Sequence, residues 1–78
     1  MSKSNIQVGK FYKEKSKVMD AFRYIHVSKV TPHSIEGDII TMYDEFVPNN
    51  SYIDTGNWIE VDQQEFEQRK ELATSNLE

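Results

Sequence analysis

The chain has 78 residues, of which 37% are apolar and 28% are charged, and its formal net charge is −4. This length accommodates one domain and excludes a multidomain enzyme, because independently folding units have about 50–250 residues. Cysteine is absent from the sequence, which excludes disulfides, thiolate metal sites and cysteine nucleophiles. The sequence has no apolar run of the length that spans a bilayer and no secretory signal, so we expect a soluble cytoplasmic domain.

Basic side chains are concentrated in the first half of the chain and acidic ones in the second. Residues 1–39 contain seven basic and four acidic side chains, whereas residues 40–78 contain two basic and nine acidic ones. Such an asymmetry can mark a surface for a charged partner. In a compact barrel the two halves interleave, so that neighbouring strands can neutralise one another, and we favour this second interpretation.

The first predicted elements are a strand and a loop. Alternation at Ile6 and Val8 predicts a strand over residues 6–12, within which Gly9 marks a bulge or a close backbone approach. Residues 13–17 contain no apolar or strand-forming side chain, so they predict a solvated loop.

The clearest predicted strand covers residues 22–30. Its alternation places Ile25 and Val27 on one face, which we expect to point into the core. The same face carries Arg23. We expect the opposite face, with Phe22, Tyr24 and His26, to be at least half exposed.

Proline and glycine set the limits of the next elements. Residues 31–34 predict a turn, and the β-branched and aromatic residues of 35–43 predict a strand. Gly37 is either a bulge in that strand or, with Asp38, the turn of a hairpin, and the sequence leaves both arrangements open.

The following segment predicts a loop and then a short hairpin. Residues 47–51 have loop composition, and residues 52–53 and 58–61 predict two short strands. Between them, residues 54–57 have the chemistry of a hairpin turn.

The last element predicted is a helix. Asp62 and Glu65 have the spacing of a capping box, and Phe66 is expected to pin one helical turn over the open end of the sheet. Beyond about Arg69 we expect fraying, because the segment is polar on all sides. Residues 77–78 resemble the remnant of a cloning site before a purification tag. The expected single core consists of Ile25, Val27, Ile59, Val61 and Phe66.

The hydrophobic layout of residues 8–12, 24–27, 58–61 and 65–66 resembles that of an SH3-like barrel, as found in small uncharacterised families of bacterial and bacteriophage genomes. The resemblance implies an all-β or β-rich fold, with four to five antiparallel strands and a short C-terminal helix, and it implies no activity. The domain organisation predicted is a disordered N-terminus over 1–5, the barrel with its helical turn over 6–68, and a frayed tail over 69–78.

Two patterns suggest catalysis or metal binding, and neither is specific. Asp54-Thr55-Gly56 is the tripeptide of aspartic proteases, but it is followed by Asn57-Trp58 rather than a small residue, so we interpret it as a turn. His26 and His33 are the only imidazoles, and no ligand spacing connects them to carboxylates. We therefore predict no enzymatic activity, no catalytic residue, no metal and no cofactor.

We predict a protein-interaction or accessory module, monomeric or weakly dimeric. Aromatic side chains would form an exposed groove for an extended peptide, and acidic residues near the tryptophan would select a basic ligand. The residues predicted to bind the partner are Tyr24, Tyr43, Tyr52, Trp58 and Glu60.

The alternative is binding of single-stranded nucleic acid or RNA by the first half of the chain. Cations would contact phosphates while aromatic rings stack on bases. The residues predicted for this role are Lys10, Tyr12, Lys13, Lys15, Lys17 and Arg23. The acidic character of the whole chain opposes this alternative.

Overall fold

The computed structural model describes residues 6–53 and 55–75. These residues form five β-strands followed by one α-helix: β1 Phe11–Lys15, β2 Phe22–Val30, β3 Ser34–Ile40, β4 Phe46–Ile53, β5 Ile59–Val61 and α1 Gln63–Ser75. The predicted disordered N-terminus and the predicted cloning remnant lie outside the described residues.

All five strands belong to one antiparallel sheet in the order β4-β3-β2-β1-β5. Strands β1 to β4 pair with their neighbours in the chain, whereas β5 crosses the molecule and places Val61 opposite Phe11 of β1. In the described part of the chain β4 does not pair with β5, so the sheet is open. The predicted β-rich class with a C-terminal helix is confirmed, and the arrangement is consistent with the SH3-like resemblance.

The strand predicted over residues 22–30 is confirmed as β2, and both of its faces are covered. Consecutive side chains of a strand point to opposite faces, so Tyr24 and Ile25 belong to two different hydrophobic clusters. The expectation that the aromatic face would be half exposed is wrong for Tyr24, which is 5% exposed.

The two clusters lie on opposite faces of the sheet. The first contains Tyr12, Ile25, Val27, Ile35, Ile39 and Trp58. The second lies beneath the helix and contains Tyr24, Ile40, Phe66 and Ala73, with Phe11, Phe22, Phe46 and Val61 partly buried against it. A single core that joins Ile25 to Phe66 is therefore wrong. The sheet separates them, and Ile59 is exposed on the edge strand.

Gly37 allows β2 and β3 to approach closely. A Cβ atom at this position would overlap the backbone carbonyl oxygen of His26. The pairing register shifts on both sides of Gly37, between Val27 and Lys29 on β2 and again where β3 pairs with β4. In both shifts the extra residue lies on the partner strand, Ser28 of β2 and one residue between Val47 and Asn50 of β4, while β3 alternates regularly through Gly37. A bulge in β3 at Gly37 is therefore wrong, and the hairpin alternative is wrong because the chain turns at residues 41–45 instead.

The segment predicted as a loop over residues 47–51 is part of strand β4. Pro48 has no amide hydrogen to donate, and Asn49 adopts a positive φ of 56°, so both residues weaken the strand signal in the sequence. They are tolerated because β4 is at the edge of the sheet and the pairing is irregular at this point.

Strand β1 begins and ends later than expected. The chain turns at Val8 and Gly9, where Gly9 has a φ of 89°, and the strand then runs to Lys15 through the segment predicted as a loop. Tyr12 and Glu14 are buried on one face of this strand. Charged residues are compatible with a strand here because the Glu14 carboxylate accepts hydrogen bonds from Arg23 and Thr55.

The predicted hairpin between residues 52–53 and 58–61 is wrong, because β5 pairs with β1 and not with β4. The turn chemistry still has a role, since Gly56 adopts a φ of 83° that favours glycine. Asp54 lies outside the described residues.

Helix α1 begins where the sequence predicts. The Asp62 Oδ1 atom accepts a hydrogen bond from the Glu65 backbone amide at 2.9 Å, which is the expected N-cap. The predicted fraying beyond Arg69 is wrong, because the helix continues to Ser75.

A buried alanine explains the length of the helix. Ala73 is 1% exposed and lies two turns after Phe66, on the same side of the helix, so that both pack on the second cluster. Leu72, the larger apolar residue, is 53% exposed. Among residues 6–53 and 55–75, no helix combines the length and the apolarity needed to cross a membrane.

Candidate binding cleft

A cleft of about 290 Å³ opens at the end of the sheet where β1 leads into β2. One wall is the loop between these strands, and the other is formed by the β3–β4 turn and the segment that precedes β5. The residues that line it are Glu14, Lys15, Ser16, Lys17, Val18, Arg23, Met42 and Thr55. Three separate stretches of the chain therefore meet here.

The floor of the cleft is an ion pair with a buried carboxylate and a partly buried guanidinium. Glu14 and Arg23 are direct cross-strand partners on β1 and β2, and the Glu14 side chain is only 5% exposed. Arg23 donates to Glu14 Oε1 from Nε at 2.8 Å and also from Nη2, while the Thr55 hydroxyl donates to Glu14 Oε2. Both carboxylate oxygens are thus hydrogen-bonded, as a buried charge requires.

Two aromatic rings hold the Arg23 side chain in position. Its guanidinium lies 4.3 Å from the centroid of the Tyr52 ring and 5.4 Å from that of Trp58, and the two rings stack at 5.6 Å. Burial raises the pKa of the Tyr52 phenol, and the neighbouring guanidinium opposes that shift. Cation–π contacts favour a fixed guanidinium, so the floor of the cleft is preorganised.

The loop wall is shaped by Ser16. Its Oγ atom accepts hydrogen bonds from the backbone amides of Val18 at 3.1 Å and Met19 at 3.3 Å, and its own amide donates to the Ala21 carbonyl at 2.8 Å. This local hydrogen bonding leaves the Val18 side chain 86% exposed at the mouth of the cleft.

The charge of the lining is positive although the whole chain is acidic. Lys15, Lys17 and Arg23 line the cleft together with one carboxylate, that of Glu14. Lys15 approaches Asp20 at 3.6 Å, but both side chains are mostly exposed, and Lys17 forms no ion pair with any described residue. Solvent screens such an exposed pair, so the lysine charge remains available to a ligand.

The predicted aromatic groove is not formed. Tyr24 is buried beneath the helix and Trp58 is 8% exposed, whereas Tyr43 is 68% exposed in the β3–β4 turn. Tyr52 and Trp58 are brought together, but they lie under Arg23 in the first cluster. Glu60 forms a surface ion pair with Lys10 at 3.3 Å. The structure therefore does not bring the five predicted residues into one surface.

The six residues of the predicted nucleic-acid site are also divided. Lys15, Lys17 and Arg23 line the cleft, whereas Lys10 pairs with Glu60 elsewhere. Lys13 points to the helix-covered face, and Tyr12, which is 4% exposed, packs in the first cluster. No stacking ring accompanies the cations at the described lining of the cleft.

Polar contacts also connect the helix to the sheet. Glu65 Oε2 accepts hydrogen bonds from Lys13 Nζ at 3.0 Å and from the Tyr24 hydroxyl at 3.1 Å. Burial raises the pKa of Tyr24, and its contact with the Glu65 carboxylate raises it further. Arg69 pairs with Asp44 on the same face. The pairs Lys10–Glu60 and Lys13–Glu65 join the two halves of the chain, as the neutralisation interpretation predicts, whereas Arg69 and Asp44 both belong to the second half.

Sequence reasoning missed Glu14 and Thr55. The signal that could have found Glu14 was the presence of Arg23 on the same predicted strand face as Ile25, because an inward-facing arginine needs a carboxylate partner. The segment 13–17 lacks apolar residues, which hid the strand that supplies this partner. Thr55 depends on tertiary contact across 41 residues, for which the sequence contains no local signal.

No metal site in the described ranges and no related protein indicates a role for this cleft. Within the described ranges, no group of three or more histidine, cysteine, aspartate or glutamate side chains is arranged to hold a metal ion. No protein-family model, curated protein or solved structure matches the chain.

Proposed function

We propose that the chain is a non-catalytic interaction module that binds an extended segment of a partner protein in the cleft at the β1–β2 end of the sheet. The observation that carries this proposal is the preorganised floor of the cleft. Glu14, Arg23 and Thr55 form a buried polar network, and Arg23 is fixed against two rings. A rigid floor bordered by adaptable side chains is a common design of ligand sites.

The energetic cost of the floor supports a role beyond stability. Transferring two charges from water into a protein interior costs several kcal/mol per ion, and an apolar pair of similar volume is often as stable. A domain this small has little stability to spare. The buried Glu14 carboxylate and its partly exposed Arg23 partner are therefore better explained by a requirement for a fixed polar surface under the cleft.

The chemistry of the lining favours binding over catalysis. Both oxygens of the Glu14 carboxylate are occupied by hydrogen-bond donors, so the group is held as an acceptor rather than as a base for a substrate proton. His26 stacks on Phe11 at 4.2 Å on the opposite face of the sheet, and His33 is exposed in the β2–β3 turn. Among the described residues that line the cleft, none is a histidine.

Addition of a peptide strand to the sheet is a weaker explanation. Edge strand β4 is interrupted by Pro48 and by the positive φ of Asn49, features that protect an edge from pairing. The other edge, β5, has three residues. The cleft offers more contact chemistry than either edge.

Selection from a random dodecapeptide library displayed on phage tests the proposal without assuming the charge of the ligand. Selected peptides should shift the backbone amide resonances of Lys15 to Val18, Met42 and Thr55 in the ¹⁵N-labelled protein. The double variant Val18→Ser/Met42→Ser removes both apolar wall residues and should weaken binding by at least about fivefold, as for the loss of central interface contacts.

The matched control is Val8→Ser/Leu72→Ser, which removes two exposed apolar side chains away from the cleft. This variant should bind the selected peptides like the unmodified protein. Equal binding by the cleft variant and the control, or an absence of enriched peptides, would contradict the proposal.

A further inference from the structure

We infer that the cleft selects an acidic segment, in which a carboxylate lies next to an aliphatic side chain. This inference rests on the proposed function and adds the chemistry of the ligand. It reverses the charge expected from the sequence, where acidic residues near Trp58 predicted a basic ligand. Trp58 is buried and Glu60 is paired with Lys10, so that basis for choosing a cationic partner is lost.

The first argument is the balance of charge in the lining. The Glu14 carboxylate is neutralised by Arg23, whose Nε and Nη2 atoms both donate to Glu14 Oε1. The remaining charged side chains of the described lining are Lys15 and Lys17. A ligand carboxylate would enter a locally positive site, whereas an ammonium or guanidinium group would meet like charges with no unpaired carboxylate among the described lining residues. Asp20, which lies 3.6 Å from Lys15, is outside the lining.

The second argument is the position of the apolar residues. Val18 is 86% exposed between Lys17 and Met19 in the loop wall, and Met42 lines the cleft from the β3–β4 turn. The Ser16 hydrogen bonds hold the loop in the conformation that presents Val18. An aliphatic ligand side chain can contact Val18 and Met42 while a neighbouring carboxylate faces the lysines.

The lining also distinguishes a peptide from a nucleic acid. Single-stranded nucleic acid is held by cations together with exposed rings on which bases stack. None of the described lining residues is aromatic, and the rings that contact Arg23, those of Tyr52 and Trp58, lie inside the first cluster. Tyr43 is exposed next to Met42 in the β3–β4 turn, but it does not line the cleft. Valine and methionine at the mouth suit aliphatic side chains better than bases.

Fluorescence anisotropy with two labelled octapeptides tests the inference. One peptide alternates glutamate and leucine, and the other replaces every glutamate by glutamine. We expect the glutamate peptide to bind on the order of tenfold more tightly at low salt, and we expect this difference to shrink as salt screens the charges. Equal binding of the two peptides, tighter binding of the glutamine peptide, or no binding of either up to millimolar concentration overturns the inference.

Charge reversal identifies the lysines responsible. Lys17→Glu should weaken binding of the glutamate peptide severalfold and leave binding of the glutamine peptide nearly unchanged. The control is Lys29→Glu, which makes the same charge change at an exposed position on the far end of β2 and should alter neither affinity. An equal loss in both variants shows a non-specific charge effect and overturns the inference.

Octauridylate serves as a competing probe. If it binds more tightly than the glutamate peptide and loses affinity in Lys17→Glu, the cleft takes nucleic acid and the inference is overturned. The phage selection makes no assumption about charge, so neutral or basic peptides that bind in the cleft would overturn the acidic ligand and leave the proposed function intact.

Discussion

Two ion pairs lie on opposite faces of the sheet, and their carboxylates differ in exposure to solvent. Lys13 and Glu14 are neighbours on β1 and therefore point to opposite faces. Lys13 pairs with Glu65 of the helix, where the carboxylate side chain is 38% exposed. Glu14 pairs with Arg23 beneath the cleft, where the carboxylate side chain is 5% exposed.

The environment decides what each pair contributes. The helix-covered face is closed by Phe66 and Ala73, and its ion pairs lie at the margin, where water screens them and their contribution is small. On the cleft face the Glu14 carboxylate is buried and depends on its partners, whereas the Arg23 side chain is 25% exposed, much like Lys13 at 24%. The Lys13–Glu65 pair adds little to a face that apolar contacts already close. The Glu14–Arg23 pair forms the polar floor of the cleft.

The largest expected effect follows from breaking the ion pair between Glu14 and Arg23. Glu14→Ala should lower the free energy of unfolding by about 2–3 kcal/mol, because it leaves the partly buried Arg23 guanidinium and the Thr55 hydroxyl without their carboxylate. Urea unfolding monitored by Trp58 fluorescence measures this loss. The double variant Glu14→Leu/Arg23→Met removes both charges and should unfold with a free energy within about 1 kcal/mol of that of the unmodified protein, or higher.

The double variant also separates stability from binding. It should retain the fold and lose affinity for the peptides selected on the cleft, since the polar floor is gone. If the double variant were as unstable as Glu14→Ala, or if it bound those peptides normally, the distinction between the two faces would fail.

A smaller effect is expected from breaking the ion pair between Lys13 and Glu65. Glu65→Gln keeps a hydrogen-bond acceptor for Tyr24 but removes the charge that faces Lys13 at the start of the helix, so unfolding should become easier by about 0.5–1 kcal/mol. Glu67→Gln is the control, because Glu67 is exposed on the same helix and forms no ion pair with a described residue. A loss at Glu65 as large as that of Glu14→Ala would contradict the comparison.

The smallest effect concerns alkaline pH. The pKa values of Tyr24 and Tyr52 are raised above the ordinary value of 10.0 in the folded protein, so above that pH the unfolded chain binds fewer protons than the folded one. The stabilising contribution of these two phenols is therefore present below about pH 10 and is lost as the pH rises through the raised pKa values.

The free energy of unfolding measured at pH 8 and pH 11 checks this sign. Its decrease between these two pH values should be smaller in Tyr24→Phe and Tyr52→Phe than in the unmodified protein. The exposed Tyr43→Phe variant should keep the full decrease.

Local patterns in the sequence predicted several elements well. The β-branched and aromatic residues of 22–30 predicted β2 to the residue, and the spacing of Asp62 and Glu65 predicted the start of the helix. Both signals depend on side chains a few residues apart, which is the range that periodicity and capping describe. The sequence predicted a loop where β4 lies, because Pro48 and Asn49 are unfavourable in a strand. Both residues are tolerated there because β4 is at the edge of the sheet.

Three residues of the candidate cleft were also candidates from the sequence, within the nucleic-acid alternative, and their role in binding stays a prediction. Lys15, Lys17 and Arg23 were candidates because of their charge, and they do line the cleft. The aromatic candidates were chosen on the assumption that their rings are exposed to solvent, and exposure cannot be read directly from a sequence. Trp58 is buried because β5 crosses to β1, a long-range pairing that no local pattern reveals.

The amino-acid sequence by itself determined the β-rich class, the capped C-terminal helix and the absence of thiol chemistry, because composition, periodicity and capping act over short distances. Only the tertiary structure decided that the sheet has two covered faces, that the helix continues on Ala73, and that Glu14, Arg23 and Thr55 meet beneath a cleft. Those outcomes depend on which distant strands become neighbours, and that choice is made by the packing of the whole chain.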